Sequence, residues 1–152
     1  MKKLFIASDH AAVELKEYVK SLINKKRYEV RDLGPYGNES VDYPDYAEKV
    51  ALKVATSKGA LGILSCGTGI GMSISANKVA GIRAALVKTP FEAQMSREHN
   101  DSNILVLGGR PFDKSNVAKI VDMWLKTDFA GGRHKKRVDK IKRMEKRLLK
   151  KS

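Results

Sequence analysis

Five mostly apolar runs recur along the chain, at positions 3–8, 29–33, 61–65, 82–87 and 103–107, and the segments between them keep a different rhythm. After the first run, Ala12, Leu15, Val19, Leu22 and Ile23 return every three or four residues, the spacing of a helix with one face on a core. Tyr46, Val50, Ala51 and Val54 repeat that spacing after the turn at Pro44, and Val117, Ile120, Val121, Trp124 and Leu125 repeat it again. Thr89-Pro90-Phe91-Glu92 reads as a capping box with proline at the first helical position, so a helix should open there too. Runs that are apolar at nearly every position suit strands covered by helices on both faces. The pattern predicts an α/β fold, with a five-stranded parallel sheet in a three-layer α/β/α sandwich.

The last segment breaks the pattern. From 134 to 150, Val138, Ile141, Met144 or Glu145, and Leu148 form a narrow apolar stripe among lysines and arginines, after a Gly131-Gly132 hinge. A helix so thinly apolar is expected to protrude from the sheet and lie across a second subunit, making a homodimer that could pair further into a tetramer. No repeat or linker divides the chain, and 152 residues with 42% apolar content suit one domain spanning 1–152.

Charge changes the picture only locally. The net charge is +13, but residues 133–152 hold eleven Lys/Arg and two Asp/Glu, a net of +9, which leaves +4 for residues 1–132. A basic terminal helix can bind nucleic acid or an acidic partner, although its commonest role is a solvated face. The single cysteine excludes an intrachain disulfide and suits a reducing compartment. The opening MKKLFIASDH meets Asp9 and His10 too early for a signal-peptide core, and no apolar stretch approaches the roughly 20 residues of a membrane span. A cytoplasmic location with no membrane contact is therefore expected.

Candidate chemistry gathers at a few turns. In open parallel sheets, ligands bind beyond the carboxyl ends of the strands. Asp9 and His10 follow the first strand, Cys66-Gly67-Thr68-Gly69 the third, and Gly108-Gly109-Arg110 the fifth. Cys66 stands between an apolar run and a glycine-rich turn that opens a helix, where the backbone dipole favours an anionic sulfur. Gly67, Gly69 and Gly71 allow backbone N–H groups to approach a bound anion closely. Taken alone, the segment also fits a buried apolar cysteine beside a tight connection. His99-Asn100-Asp101 precedes the fifth strand, nearer the opposite edge, so a catalytic His99 would have to come from an unusual turn or a partner subunit. Arg133 and Arg137, four residues apart, share a helical face with His134 beside them and offer a fork for a phosphate, though a segment this basic produces such pairs by chance. The chain has no G-x-x-x-x-G-K-[ST] loop and no H-E-x-x-H helix, its glycine turn lacks dinucleotide-fingerprint spacing, and no metal site is expected.

Five ordered motifs, IASDHAA at 6–12, VDYPDYA at 41–47, SCGTGIGMSISANKVAGIRAA at 65–85, SREHNDSNIL at 96–105 and GGRHKKRV at 131–138, make the chain similar to the ribose-5-phosphate isomerase B family. This is the cysteine-type branch of the sugar-phosphate isomerases, which also contains galactose-6-phosphate isomerase subunits. The resemblance implies a Rossmann-like fold and a cofactor-free enzyme interconverting D-ribose 5-phosphate and D-ribulose 5-phosphate in the non-oxidative pentose phosphate pathway. It also implies a site shared between two subunits. By the same resemblance Cys66 is the base, Thr68 and the amides of Gly67, Gly69 and Gly71 stabilise the oxyanion, and His99 opens the sugar ring. Asn100 orients the sugar, while Asp9, His10 and Tyr43 line it, with packing an equal role for Tyr43. Arg133 and Arg137 clamp the phosphate, joined less firmly by His134 and Arg110. A six-carbon substrate such as galactose 6-phosphate or allose 6-phosphate is the alternative, and a nucleic-acid-binding role for the basic tail is a remote one.

Overall fold

The computed structural model describes residues 1–150. Its five strands are β1 (Lys2–Ser8), β2 (Tyr28–Asp32), β3 (Leu61–Cys66), β4 (Ala84–Leu86) and β5 (Ile104–Gly108). They pair in the order β2-β1-β3-β5-β4, every pair parallel. Helices α1 (Val13–Leu22), α2 (Tyr43–Thr56), α3 (Ile70–Ala76), α4 (Pro90–Glu98) and α5 (Lys114–Lys126) cover the sheet, and α6 (Arg133–Leu149) follows. The α/β/α sandwich expected from the apolar pattern is the fold observed.

Side chains of successive strand residues point to opposite faces, so each central strand feeds two cores. Leu4, Ile6, Ile63, Leu105 and Leu107 pack with Leu15, Val117, Ile120 and Trp124 on the face of α1 and α5. Phe5, Ala7, Leu64, Ile104 and Val106 pack with Val50, Val54 and Met72 on the face of α2 and α3, and Cys66 belongs to this second core. The edge strands β2 and β4 are half-buried. As an edge strand β4 pairs with β5 alone, and it keeps three residues of the six-residue run at 82–87.

Two helix starts differ in detail from the sequence reading. Tyr43 already belongs to α2, with Pro44 in the first turn. At α4 the Thr89 hydroxyl accepts from Glu92 N–H at 3.1 Å as a capping box requires, but the Glu92 carboxylate reaches one residue further out, accepting from Lys88 N–H at 2.7 Å. Helix α6 is held back against the body at three points. Its His134 stacks on His99, Val138 is buried, and both Glu145 oxygens accept from Gly81 N–H at 3.0 and 3.1 Å. Position 145, left between Met144 and Glu145 by the stripe, is thus a polar tether, and Ile141, Met144 and Leu148 stay exposed. Among the described residues no helix is long and apolar enough to cross a membrane.

One buried ion pair stands inside this frame. Lys16, fully buried, donates to Asp32 Oδ1 at 2.9 Å and to the Pro35 carbonyl, and Lys20 donates to Asp32 Oδ2 at 2.7 Å. Burial alone would raise the Asp32 pKa, but the hydrogen bonds from Lys20, the Gly34 amide and Lys16 together hold it below its ordinary value. Asp32→Asn would leave the Lys16 ammonium buried without its counter-charge, at an expected cost of about 3–5 kcal/mol in chemical denaturation. Because the folded-state pKa is depressed, the Asp32 contribution is complete above about pH 4 and lost as pH falls below it, so wild type and variant should converge in stability there.

Candidate active site

At the carboxyl edge of the sheet, β1 and β3 end side by side, with Ser8 opposite Ser65. Chain connections leave these two neighbours in opposite directions along the sheet, β1 toward β2 and β3 toward β5 and β4, which opens a crevice between them. Asp9 lies in it, its N–H donating to the Ser65 carbonyl at 3.1 Å and its carboxylate accepting from Ala11 N–H at 2.9 Å, which caps a short 3-10 turn at His10–Ala12. His10 Nδ1 lies 3.1 Å from the Val41 backbone nitrogen and 3.2 Å from the Val41 carbonyl oxygen, which ties the ring to that segment.

Cys66 ends β3, and its Sγ accepts from Gly69 N–H at 3.2 Å. The residue is 4% exposed, at the top of the α2–α3 core. The sulfur therefore meets a backbone donor at the rim of the crevice rather than hydrocarbon alone. Sequence reasoning placed Cys66 at a helix N-terminus, whereas α3 begins four residues later, after the turn 67–69. The local N–H of Gly69, not the axis of a seven-residue helix, is the dipole that touches the sulfur. Gly69 has φ +81°, and a Cβ there would lie 2.5 Å from Leu86 Cδ1, so this turn requires glycine. Thr68 Oγ1 accepts from Ile70 N–H at 3.2 Å, and the Gly67 carbonyl accepts from Gly109 N–H at 3.1 Å and Arg110 N–H at 3.0 Å. These bonds draw the loop after β5, and with it Arg110, against the cysteine loop.

Tyr43 is half exposed and its ring lies on Gly71, where a Cβ would come within 2.6 Å of the ring. Gly71 thus owes its identity to the tyrosine above it as much as to any anion. A cavity of about 380 Å³ opens on the α5 side of the loop, lined by Gly67, Thr68, Lys88, Arg110 and Asn116 among others; Cys66, Asp9, His10 and Tyr43 do not line it.

The second group lies at the amino edge. His99 follows α4, and its ring stacks on that of His134 at 4.1 Å between centroids with 12° between planes. Burial lowers the His134 pKa from its ordinary value, helped by His99, Arg133 and Arg137, while Glu98 opposes them. Arg133 and Arg137 are exposed, and neither has an acidic partner among the described residues. Asn100 is exposed, its carbonyl accepting from Arg83 Nε at 3.1 Å.

What holds this edge was not foreseen. Arg97, almost fully buried, donates to the Thr127 carbonyl at 3.1 Å and to the Ser102 carbonyl, and lies over the Trp124 ring at 5.3 Å. Trp124 Nε1 donates to Ser102 Oγ at 2.9 Å, and Ser102 Oγ to Ser96 Oγ at 3.0 Å. The signal was in the spacing: Arg97 falls four residues after buried Ala93, and Lys16 four after buried Ala12, so both cations occupy core-facing positions.

Strands of five to seven residues separate these edges by roughly 15–20 Å. Within one chain Cys66, Asp9, His10, Tyr43, Thr68 and Arg110 gather at one end, and His99, Asn100, Arg133, His134 and Arg137 at the other.

An open parallel sheet with a thiol and a glycine turn at its switch point defines an α/β enzyme of acid–base or nucleophilic type, and comparison with known proteins names the group. The sequence profile of the Ribose/Galactose Isomerase family matches residues 4–141, and the chain belongs to that family. It is 45% identical over 147 residues to ribose-5-phosphate isomerase B of Escherichia coli, covering 97% of this chain and 99% of that one. Among solved structures, ribose-5-phosphate isomerase B of Clostridium thermocellum superposes with TM-score 0.91 at 51% identity, over 96% of this chain and 99% of that one. That of Mycoplasma genitalium, with bound ribulose-5-phosphate, superposes with TM-score 0.90 at 47% identity, over 95% and 96% of the two chains.

Gly71→Ala should drive the Tyr43 ring off its seat, lowering stability by about 1–3 kcal/mol in thermal or chemical denaturation. Tyr43→Ala in the same chain should recover most of that loss, because the clash then disappears.

Proposed function

We propose that the chain is a ribose-5-phosphate isomerase that interconverts D-ribose 5-phosphate and D-ribulose 5-phosphate through an enediolate, at a site completed by a second copy of itself. The carrying observation is the separation of two half-sites at opposite edges of one sheet, a cysteine loop and a histidine–arginine cluster. A five-carbon phosphate cannot span both in one chain. A C2 pair of copies would set the cluster of each against the loop of the other, which gives the exposed Arg133 and Arg137 something to bind. The identity to isomerases over nearly the whole chain supports the substrate, as does a structural relative described with ribulose-5-phosphate bound.

The chemistry follows from which atoms can reach the sugar. His99 moves a proton from the C1 hydroxyl of the furanose to the ring oxygen as the C1–O4 bond breaks, leaving the open aldehyde. Cys66, as thiolate, removes the C2 proton, and the electron pair moves into the C1–C2 bond as C1–O gains negative charge. Backbone N–H groups of the turn 67–71 and the Thr68 hydroxyl stabilise that oxyanion, about 3 kcal/mol for a well-aimed donor. The sulfur then returns the proton to C1 while a proton passes from O2 to O1, giving the ketose. One base suffices because C1 and C2 are bonded neighbours. His10 and Asp9 hold sugar hydroxyls, with Tyr43 and Asn100 beside them. Arg133 and Arg137, joined by Arg110, hold the phosphate in bidentate fashion.

The chain acts as a single domain, without cofactor, in the non-oxidative pentose phosphate pathway of the cytoplasm. Parallel kinetics on ribose 5-phosphate and on galactose and allose 6-phosphates test the substrate, with higher kcat/KM expected for the pentose. A six-carbon preference would overturn that choice while leaving the mechanism.

Cys66→Ala should lower kcat by about 10²–10⁴-fold while the enzyme still binds the sugar phosphate in calorimetry. Near-normal turnover would refute the base assignment. Mixing inactive Cys66→Ala with inactive His99→Ala should restore up to about a quarter of wild-type activity, because half of randomly exchanged dimers carry one intact site. No recovery under conditions where subunits demonstrably exchange would refute the shared site.

A further inference from the structure

The backbone around His99 is tightly held. Its N–H donates to the Met95 carbonyl at 2.9 Å, Arg83 Nε donates to the carbonyls of Asn100 and Asp101 at 3.1 and 3.0 Å, and Ala130 N–H donates to the Glu98 carbonyl at 3.1 Å. The His99 ring has no such hold. Among the described residues neither of its nitrogens bonds to protein, and the neighbour that defines its plane is His134, stacked 12° from parallel at 4.1 Å.

A group that must pass a proton between two oxygens of one sugar needs its nitrogen lone pair in the plane of both, and the torsion about Cβ–Cγ is soft in histidine. We propose that His134 is a positioning residue for His99: its ring, lying flat on that imidazole, fixes the plane in which His99 exchanges the ring-opening proton. The inference rests on the reading of His99 as the ring-opening group. The end of α4 contributes Glu98, and His99 just after it, to the surroundings of His134; its own helix contributes Arg133 and Arg137, and Asp128 in the preceding loop acts on Arg97. With its pKa held down by burial and by these cations, His134 is neutral near pH 7 and offers an uncharged face to its neighbour. Protonation at lower pH would set an imidazolium between two guanidiniums and against His99, which works against the stack. Because the folded-state pKa is depressed, any stability linked to His134 is present above about pH 6.5 and lost as pH falls below it.

The experiment compares His134→Ala, His134→Phe and His99→Ala on two substrates, ribose 5-phosphate and its 4-deoxy analogue, which lacks the hydroxyl that closes the furanose. His134→Ala should lower kcat on ribose 5-phosphate by about tenfold or more while changing turnover of the analogue by less than about twofold, since the analogue needs no ring opening. His134→Phe, which keeps a flat ring without a titrating nitrogen, should restore most of kcat on ribose 5-phosphate and remove the His134 contribution to the acid limb of the pH profile. Equal losses on both sugars, or a rise in KM with kcat unchanged, would overturn the inference and leave His134 as a phosphate ligand. Failure of His134→Phe to restore turnover would also overturn it. His99→Ala separates the two levels. If it spares the analogue and His134→Ala does not, the positioning role alone fails; if it harms both sugars alike, the ring-opening reading of His99 fails and the inference with it.

Discussion

Strand β3 is the constraint on which the rest of the molecule depends. It is buried along its whole length, paired on one side with β1 and on the other with β5, and packed on both faces. A slip of one residue would exchange the side chains of its two faces and push Ile63 and Leu64 into the wrong cores. Burial therefore fixes the register, and the register puts Cys66 at the last paired position, where the chain has just left the sheet and backbone N–H groups begin to face outward. The sulfur is held by a Gly69 amide and backed by hydrocarbon, so it is rigid without being cut off from polar contact.

The two edges of the sheet carry different sets of side chains by necessity. The carboxyl edge carries loops whose amides and side chains converge on the crevice between β1 and β3; the amino edge carries the end of α4 and the start of α6. Because every strand is parallel, the edges cannot mix within one chain. Under the proposed shared site, histidine and arginine at the amino edge of one copy serve a cysteine at the carboxyl edge of the other. The same proposal gives Arg133 and Arg137 a role, while the remaining cations of α6 form a solvated face. Its first turns present Arg133, His134 and Arg137, while Val138 and the Glu145–Gly81 tether hold the helix in place.

Two buried cations stiffen the edges from inside. Lys16 ties α1 to Asp32 and to Pro35, at the root of the segment that later brings Val41 to His10. Arg97 ties the end of α4 to Ser102 and Thr127, so that the His99 backbone is delivered on a fixed arm. Each lies on the core-facing side of an amphipathic helix and is tolerated there because its donors are used.

Much of this was legible without coordinates. Alternating apolar runs and helical spacing determined the layers, the parallel sheet and the order of elements, because burying hydrocarbon leaves few other arrangements for such a pattern. The motif around Cys66 marked the loop, and the structure added the Gly69 N–H that meets the sulfur. Tertiary structure alone decided what distant residues do to one another. The stacking of His134 on His99, the seat of Tyr43 on Gly71, the shortening of β4 and the use of Lys16 and Arg97 as internal rivets join positions far apart in the chain or depend on strand order. Local periodicity reports which face of an element is buried, but not which neighbour it is buried against.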